Sequence, residues 1–471
     1  MTNTEQLQRL QLQKLLKKAA TTEFGQTHNF GSIADYTSFT DAVPLSGYSD
    51  IQPFVERNKT GEKNLLWPGR PVFYAVSSGT TGTGKHLPIS KERLASDRRF
   101  TWLSTLNFIR QRGLKSLPIK KHLSLPGSFE WLNKAEAIGI GEISAITAYR
   151  VPLPLRWLQV TDLKSMPLLS WKNKFEATIT AAARSDLHFI SAVPSWLTVL
   201  MDEVLRRTGK NHIRDVWPNL RLITTGGVAL SSYQESLNDR LEGLKVDFME
   251  SYGASEGYFA STDQIGDHDL KLVLDNGIHY EFIPWPERGQ PRPIPAWELK
   301  RNKSYRIVVS TNSGLWRYVM DDVVEITQTN PIKLTIAGRV GDKLDLFGEA
   351  IWFSEIETAL SNTGFRAHPA SVGGWVDPMR GRPQICVFVR SGNRIPQHGA
   401  VELDQQLQSL NRHYHIRRST GALGSLQVIN IRQERLFEWL KSRKTVKAQS
   451  KIPKVLVTIQ DCVDLMGYAE P

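Results

Sequence analysis

The chain is short of cysteine, of long apolar runs and of acid. Cys386 and Cys462 are its only cysteines, which excludes a disulfide framework and a CxxC metal or redox site. No stretch approaches the ~20 consecutive apolar residues of a membrane-spanning helix. The opening segment, MTNTEQLQRLQLQKLLKKAA, lacks the continuous apolar core of a secretory leader. Its Leu12, Leu15, Leu16 and Ala19 stand at helical spacing and predict a helix. A cytoplasmic protein without membrane or nucleic-acid partners is expected. Asp and Glu number 47 against 59 Lys and Arg, a net charge of +12. Those cations are scattered, and the densest run, KSRKTVKAQSKIPK (Lys441–Lys454), is an ordinary solvated segment by charge alone. No zinc-finger spacing, RNA-binding signature or basic zipper accompanies them, so an anionic small molecule explains the balance as well as nucleic acid does. Internal repeats and low-complexity segments are also missing. His413 and His415 have no third ligand near them in sequence.

What is present describes a globular chain of two or three domains: 471 residues, 40% apolar, with 13 Trp and 18 Phe. Apolar runs beginning at Pro71, Leu187, Leu220 and Lys245 predict strands. Periodic stretches predict helices from Ser90 to about Gly113, Pro194 to about Arg207 and Ser231 to about Leu241. The alternation implies an α/β fold with ligands at strand ends. After about residue 337 the chain becomes Gly-punctuated. A smaller α+β unit follows, with helices from Ser354, from Leu403 to Tyr414 and from Gln433, and strands QICVFVR and LQVINI. The expected domains are 1–338 and 339–471.

Three motifs carry chemistry. In SSGTTGTGKHLP (Ser77–Pro88), Gly79, Gly84 and Lys85 spell most of a P-loop, but His86 stands where Ser or Thr would hold magnesium. Pro88 keeps Leu87 out of helical dihedrals and Ser90 is the better helix cap, so Lys85 is expected in an extended loop. Five hydroxyls, three glycines and a lysine in nine residues suit the β- and γ-phosphates of ATP better than a polar linker. In FMESYGASEGYF (Phe248–Phe259), Gly253–Gly257 matches the GxSxG elbow of serine hydrolases, with Ser255 as nucleophile. The elbow needs a following helix, and YFASTDQIGDHD is a poor one. The other reading gives Glu256 to Mg²⁺ and Tyr252 to adenine. A structural turn with a surface Glu is the plain alternative. In GLWRYVMDDVVEI (Gly314–Ile326), two acids enter a strand. A carboxylate there suits the two hydroxyls of a ribose, and surface acids are the plain alternative.

In order and spacing these motifs resemble the Gretchen Hagen three (auxin-responsive) acyl acid amido synthetases, a branch of the acyl-adenylate-forming superfamily that includes firefly luciferase. SSGTTGTGKHLP, YGASEG and GLWRYVMDD stand in the family's order. AVPSWL, NLRLITTGG, VPLSGYSDIQPFVER and AQSKIPK extend the likeness over most of the chain. It implies a large adenylate-forming domain with sheets flanked by helices, and a smaller mobile α+β domain carrying the catalytic lysine. It also implies ATP and Mg²⁺ as cofactors and a small carboxylic acid and an amine as substrates, with a monomer as the expected state. An acyl-adenylate forms first, and an amine then gives the amide and AMP. By resemblance, Lys451 and Glu256 are catalytic, with Glu256 on Mg²⁺. Ser77, Ser78, Gly79, Thr80, Thr81 and Lys85 meet phosphate. Gly226, Gly227 and Tyr252 line the adenine, Asp322 binds ribose, and Ser255, Arg317 and Arg339 belong to the same ATP/AMP site. Val193, Trp196 and Tyr258 line the acid pocket, together with residues between about Thr101 and Leu168.

The departures are as specific as the matches. Asp321 replaces the family's Gly, Val319 its Arg, and Lys454 stands where Arg is usual. Asp321 brings a negative charge beside a polyanion, and Arg317 is the expected compensation. The chain is also shorter than the plant enzymes and resembles the bacterial-type members. Transfer to a thiol (coenzyme A or a carrier protein), a hydrolase using Ser255, and a nucleotide-binding protein without turnover are the alternatives.

Overall fold

The computed structural model describes residues 3–77, 85–227, 230, 233–285, 292–339, 343–363, 365, 367–377, 381–391, 396–442, 454–456 and 458–469. The chain divides into two compact units, the first formed within residues 1–340 and the second chiefly by 341–471.

The first unit holds an 11-stranded mixed sheet and a four-stranded one. At one edge of the large sheet His122–Ser124, Phe189–Ser191, Leu222–Gly226 and Asp247–Gly253 run parallel. The sheet then turns antiparallel through Tyr258–Thr262, Leu270–Leu272, Ile332–Arg339, Tyr318–Thr329, Lys303–Thr311, Ile278–Trp285 and Ile294–Pro295. The four expected strands are all present, at Phe73–Ser77, Phe189–Ser191, Leu222–Gly226 and Asp247–Gly253, each starting two residues into its apolar run.

Helix ends follow their capping chemistry. Ser90 Oγ accepts the Arg93 amide at 2.9 Å and starts the helix Lys91–Arg112. Pro194 occupies the first turn of Pro194–Thr208, where its missing N–H costs nothing, and Gly209 ends that helix in the left-handed region. The third predicted helix is shorter than its periodicity suggested. It spans Gln234–Arg240 with Tyr233 before it, and Ser231 lies outside the described residues. The N-terminal helix Asn3–Ala19 buries Leu12, Leu15, Leu16 and Ala19 as their spacing required. It also buries Gln8, whose amide donates to Leu274 O and Ile278 O and accepts from Tyr280 N.

The second unit has a three-stranded sheet of Ala367–Val376, Pro383–Ser391 and Gln427–Asn430, and a short pair, Lys343–Leu344 with Ile351–Trp352. Helices Phe353–Ser361, Gln397–Leu410, Arg412–Ser419, Gln433–Ser442 and Ile459–Met466 accompany them. The single helix expected from Leu403 to Tyr414 is two. Asn411 breaks it because its Oδ1 caps the second helix at Tyr414 N, while its Nδ2 donates to Ala350 O and Glu355 Oε2. Both cysteines are buried and free.

Candidate functional site

Glu256 stands at the tip of a tight hairpin. Strand Asp247–Gly253 turns back into Tyr258–Thr262. The turn is closed by Ala254 N–H to Gly257 O at 2.7 Å and Gly257 N–H to Ala254 O at 3.2 Å, which leaves Ser255 and Glu256 outermost. Both glycines are dictated by space. A Cβ on Gly253 would lie 2.5 Å from the Tyr258 ring, and one on Gly257 2.4 Å from the Phe259 ring. A strand follows the motif, so the strand–turn–helix elbow of a serine hydrolase is not formed. Ser255 Oγ instead reaches Val76 O at 3.5 Å, in the strand that leads into the phosphate motif.

Asp322 lies in a strand irregularity and accepts a tyrosine hydroxyl. The strand Tyr318–Thr329 slips register against Lys303–Thr311 between Arg306 and Val308, which places Met320–Asp322 in the irregularity. Asp322 is 6% exposed, and its Oδ2 accepts the Tyr252 hydroxyl at 2.7 Å. In the neighbouring strand Ile332–Arg339 its register partner is Arg339. The Tyr252 ring is buried against Phe259, with centroids 5.0 Å apart. The expected adenine stacking therefore finds a ring packed into the core, and the hydroxyl supports the Asp322 carboxylate.

Asp321, the departure from the family pattern, is neutralised locally. Lys85 Nζ lies 3.3 Å from its Oδ2 and Arg306 Nη2 lies 3.3 Å from its Oδ1. Arg306 is itself fixed, donating from Nε to Met320 O at 2.6 Å. A cavity of about 330 Å³ opens here between Gly47, Tyr48, Lys85, Arg306, Tyr318 and Asp321. Burial pushes the Tyr318 phenol well up, and the Glu256 and Asp321 carboxylates push it further, so both acids act on this one hydroxyl.

Arg317 corrects an expectation. It does not pair with Asp321. It is 5% exposed and paired with Glu281, itself 1% exposed, at 2.9 Å, and it donates to Thr40 O and Val43 O. Its side chain is spent inside the core. The compensating cations are Lys85 and Arg306, the latter a lone arginine beside the apolar residues of KSYRIVVS. That pattern is the signal from which it was findable.

The remaining candidates fall into groups. Lys85 opens the strand Lys85–Ile89 and pairs with Ser77, so it belongs to a hairpin arm and not to the extended loop expected of it. Ser78, Gly79, Thr80 and Thr81 lie outside the described residues, as does Lys451. Gly226 ends a parallel strand beside Ser251, whose backbone oxygen would sit 2.8 Å from a Cβ there. The backbone of Gly227 is left-handed (φ +85°), and Val193 Cγ2 would lie 3.6 Å from a Cβ placed on it. These two glycines thus occupy the carboxyl ends of parallel strands, where α/β sheets bind ligands. Trp196 is buried in the first turn of its helix. Tyr258 stacks on Phe100 at 5.2 Å. In the stretch assigned to the acid pocket, Phe129 and Trp131 pack on Phe73 and Tyr149 as core, whereas Leu153, Leu155 and Trp157 are exposed. Among the described residues no group of His, Cys, Asp or Glu side chains forms a ready metal cage. No helix among them is long and apolar enough to cross a membrane.

Residues 1–155 match the GH3 family N-terminal domain, and residues 271–339 match the GH3 family central domain. The chain is 22% identical to the probable indole-3-acetic acid-amido synthetase GH3.1 of Arabidopsis thaliana, over 96% of its own length and 89% of that protein. Its fold is similar to the solved GH3.15 acyl acid amido synthetase, with a TM-score of 0.61 and 17% identity over 100% of this chain and 94% of that one. A 2-hydroxyisobutyryl-CoA ligase in complex with 2-HIB-AMP and CoA shares the fold more loosely. Its TM-score is 0.57 at 13% identity, over 96% of this chain and 89% of that one.

Proposed function

From a chain that carries the GH3 family N-terminal and central domains, we propose an ATP-dependent ligase that joins a small carboxylic acid to an amine, an amino acid by preference. An oxygen of the acid attacks the α-phosphorus of ATP, the bond to the bridging oxygen breaks and pyrophosphate leaves. The amine nitrogen then attacks the acyl carbon, the bond to AMP breaks and the nitrogen gives up a proton. The observation that carries this reading is the Tyr252-supported Asp322 carboxylate in the same unit as the Glu256 hairpin tip, with Lys85 at the start of its strand.

Asp322 is assigned the ribose hydroxyls, because a fixed, buried carboxylate accepts two hydrogen bonds with little reorganisation. Glu256 fits Mg²⁺. That ion takes one or two protein carboxylates plus phosphate oxygens, so a single acid at a hairpin tip is a sufficient protein contribution. Bound there, Mg²⁺ supplies charge neutralisation to the triphosphate. Lys85 contributes charge toward the phosphates. Gly226 and Gly227 leave room at the strand ends for the adenine side. Lys451 is assigned the charge that builds on the reacting oxygens, which is often the largest catalytic contribution. The ion pairs on Asp321 weaken one of the two grounds, beside Val319, for a protein that binds nucleotide without turnover.

Carboxylate-labelled ¹⁸O acids test the route. Adenylation delivers one ¹⁸O to AMP when an amino acid is added as acceptor. Label appearing in inorganic phosphate, with ADP as product, would exclude an acyl-adenylate. Turnover with coenzyme A and not with any amine would move the acceptor to the thiol class.

A further inference from the structure

The Glu256 carboxylate is only as well placed as the turn beneath it, and that turn has an unusual support. Arg93 and Asp97 lie one helical turn apart near the start of Lys91–Arg112, 1% and 4% exposed, with Nε and Oδ1 2.7 Å apart. Arg93 Nη1 donates to Glu256 O and, at 3.4 Å, to Ser255 O. These two carbonyls belong to the outermost residues of the hairpin. The turn's own pair of hydrogen bonds uses Ala254 and Gly257 and leaves them unserved.

The arginine is held from behind. Ser90 Oγ accepts the Arg93 amide and donates to Asn312 O at 2.6 Å, while Ser90 N–H donates to Ser313 Oγ at 2.8 Å. A fixed helix start thus holds a fixed guanidinium, which holds a hairpin tip. The arrangement is not explained by stability. A buried ion pair is weak support for a fold, because desolvation offsets most of its attraction. Among the described residues this one also leaves Arg93 Nη2 and Asp97 Oδ2 without a hydrogen-bond partner. Burial pushes the Asp97 carboxyl up, against the pull of Arg93.

We propose that the buried Arg93–Asp97 pair is the positioning device for Glu256, with the guanidinium fixing the Ser255–Glu256 backbone and thereby the carboxylate offered to magnesium. This rests on the ligase reading for the role of Glu256, but the positioning claim stands on the hydrogen bonds. Arg93 is buried behind the turn and acts through it. Lysine in its place keeps the charge and loses the planar fork that serves Asp97 and the carbonyls together.

Two measurements on the full chain test the proposal, each with Arg93→Lys and with the milder, shape-conserving Asp97→Asn. Amide hydrogen exchange of peptides spanning residues 248–262 reads the turn without any chemistry. Exchange at the tip is expected to speed up about tenfold in Arg93→Lys while other strands of the sheet stay protected. Unchanged exchange in both variants overturns the proposal. Acid-dependent pyrophosphate exchange, titrated with free Mg²⁺, reads the consequence. Arg93→Lys is expected to lower kcat by about 30- to 100-fold and to raise the half-saturating Mg²⁺, with the KM for the acid little changed. In the double variant Arg93→Lys/Glu256→Gln, the second substitution is expected to add little, because both act through one carboxylate. Full additivity overturns the positioning role. If Glu256→Gln alone leaves activity intact, the metal assignment in the ligase reading fails, and hydrogen exchange alone decides the positioning claim.

Discussion

The Tyr252 hydroxyl donates to Asp322 Oδ2 across 2.7 Å, although three other strands separate the two strands that carry them in the ladder. The sheet bends enough to bring the end of its parallel half onto its antiparallel half. Tyr252→Phe removes one charge-assisted hydrogen bond from a buried carboxylate and leaves the ring packing in place. The expected result is a KM for ATP raised about tenfold, with kcat changed much less. Initial rates of pyrophosphate exchange against ATP concentration check it. A lowered kcat at unchanged KM would remove Tyr252 from the ribose side.

Asp321 holds both Lys85 and Arg306, so on the ligase reading it competes with phosphate for them. Asp321→Asn keeps the shape of the bulge and frees both cations. The KM for ATP is expected to fall about three- to tenfold and to become more salt-dependent. Nucleotide binding by calorimetry at two ionic strengths reads both effects. Weaker binding would mean that Asp321 instead holds the cations in place for ATP.

Arg317 is a structural residue. Arg317→Ala strands the buried Glu281 carboxylate and is expected to cost about 3–5 kcal/mol of stability, read by urea unfolding. The fraction that stays folded in the cold is expected to keep its KM for ATP. An increase in that KM without lost stability would return Arg317 to the nucleotide site.

His279 gives the fold an acid limb. It is fully buried, with Nδ1 3.2 Å from Gln8 O, and burial lowers its pKa from 6.5 to about 4. The Glu281 carboxylate opposes that shift and the Arg317 charge adds to it. The unfolded chain binds this proton more readily, so the contribution is fully present above pH 6.5 and is lost as pH falls towards 4. It amounts to about 3 kcal/mol at most. Unfolding free energies between pH 7 and 4 check the slope, and His279→Gln is expected to flatten it.

Local signals carried the fold where local physics decides it. Ser90 and Pro194 start their helices, and Leu12, Leu15, Leu16 and Ala19 face the core, because caps and helical spacing act within one turn. The split at Asn411 was hidden because its partners, Ala350 and Glu355, are about 60 residues away in sequence. The site divides in the same way. Glu256 and Asp322 are singled out by motif order, and their assignment to Mg²⁺ and ribose belongs to the proposed function. Arg317 was misassigned because a motif arginine has no visible partner until Glu281 folds against it. Arg306 and Arg93 reach Asp321 and the Ser255–Glu256 turn from a strand and a helix with no motif of their own.

Acid-dependent exchange of labelled pyrophosphate into ATP, run over a panel of aryl and alkyl acids, tests the central claim most directly. The account predicts exchange with at least one acid and none without acid. It also predicts a loss of about 100-fold or more in Glu256→Gln or Lys451→Ala. No exchange with any acid, while both variants bind ATP like the unaltered chain, would contradict it.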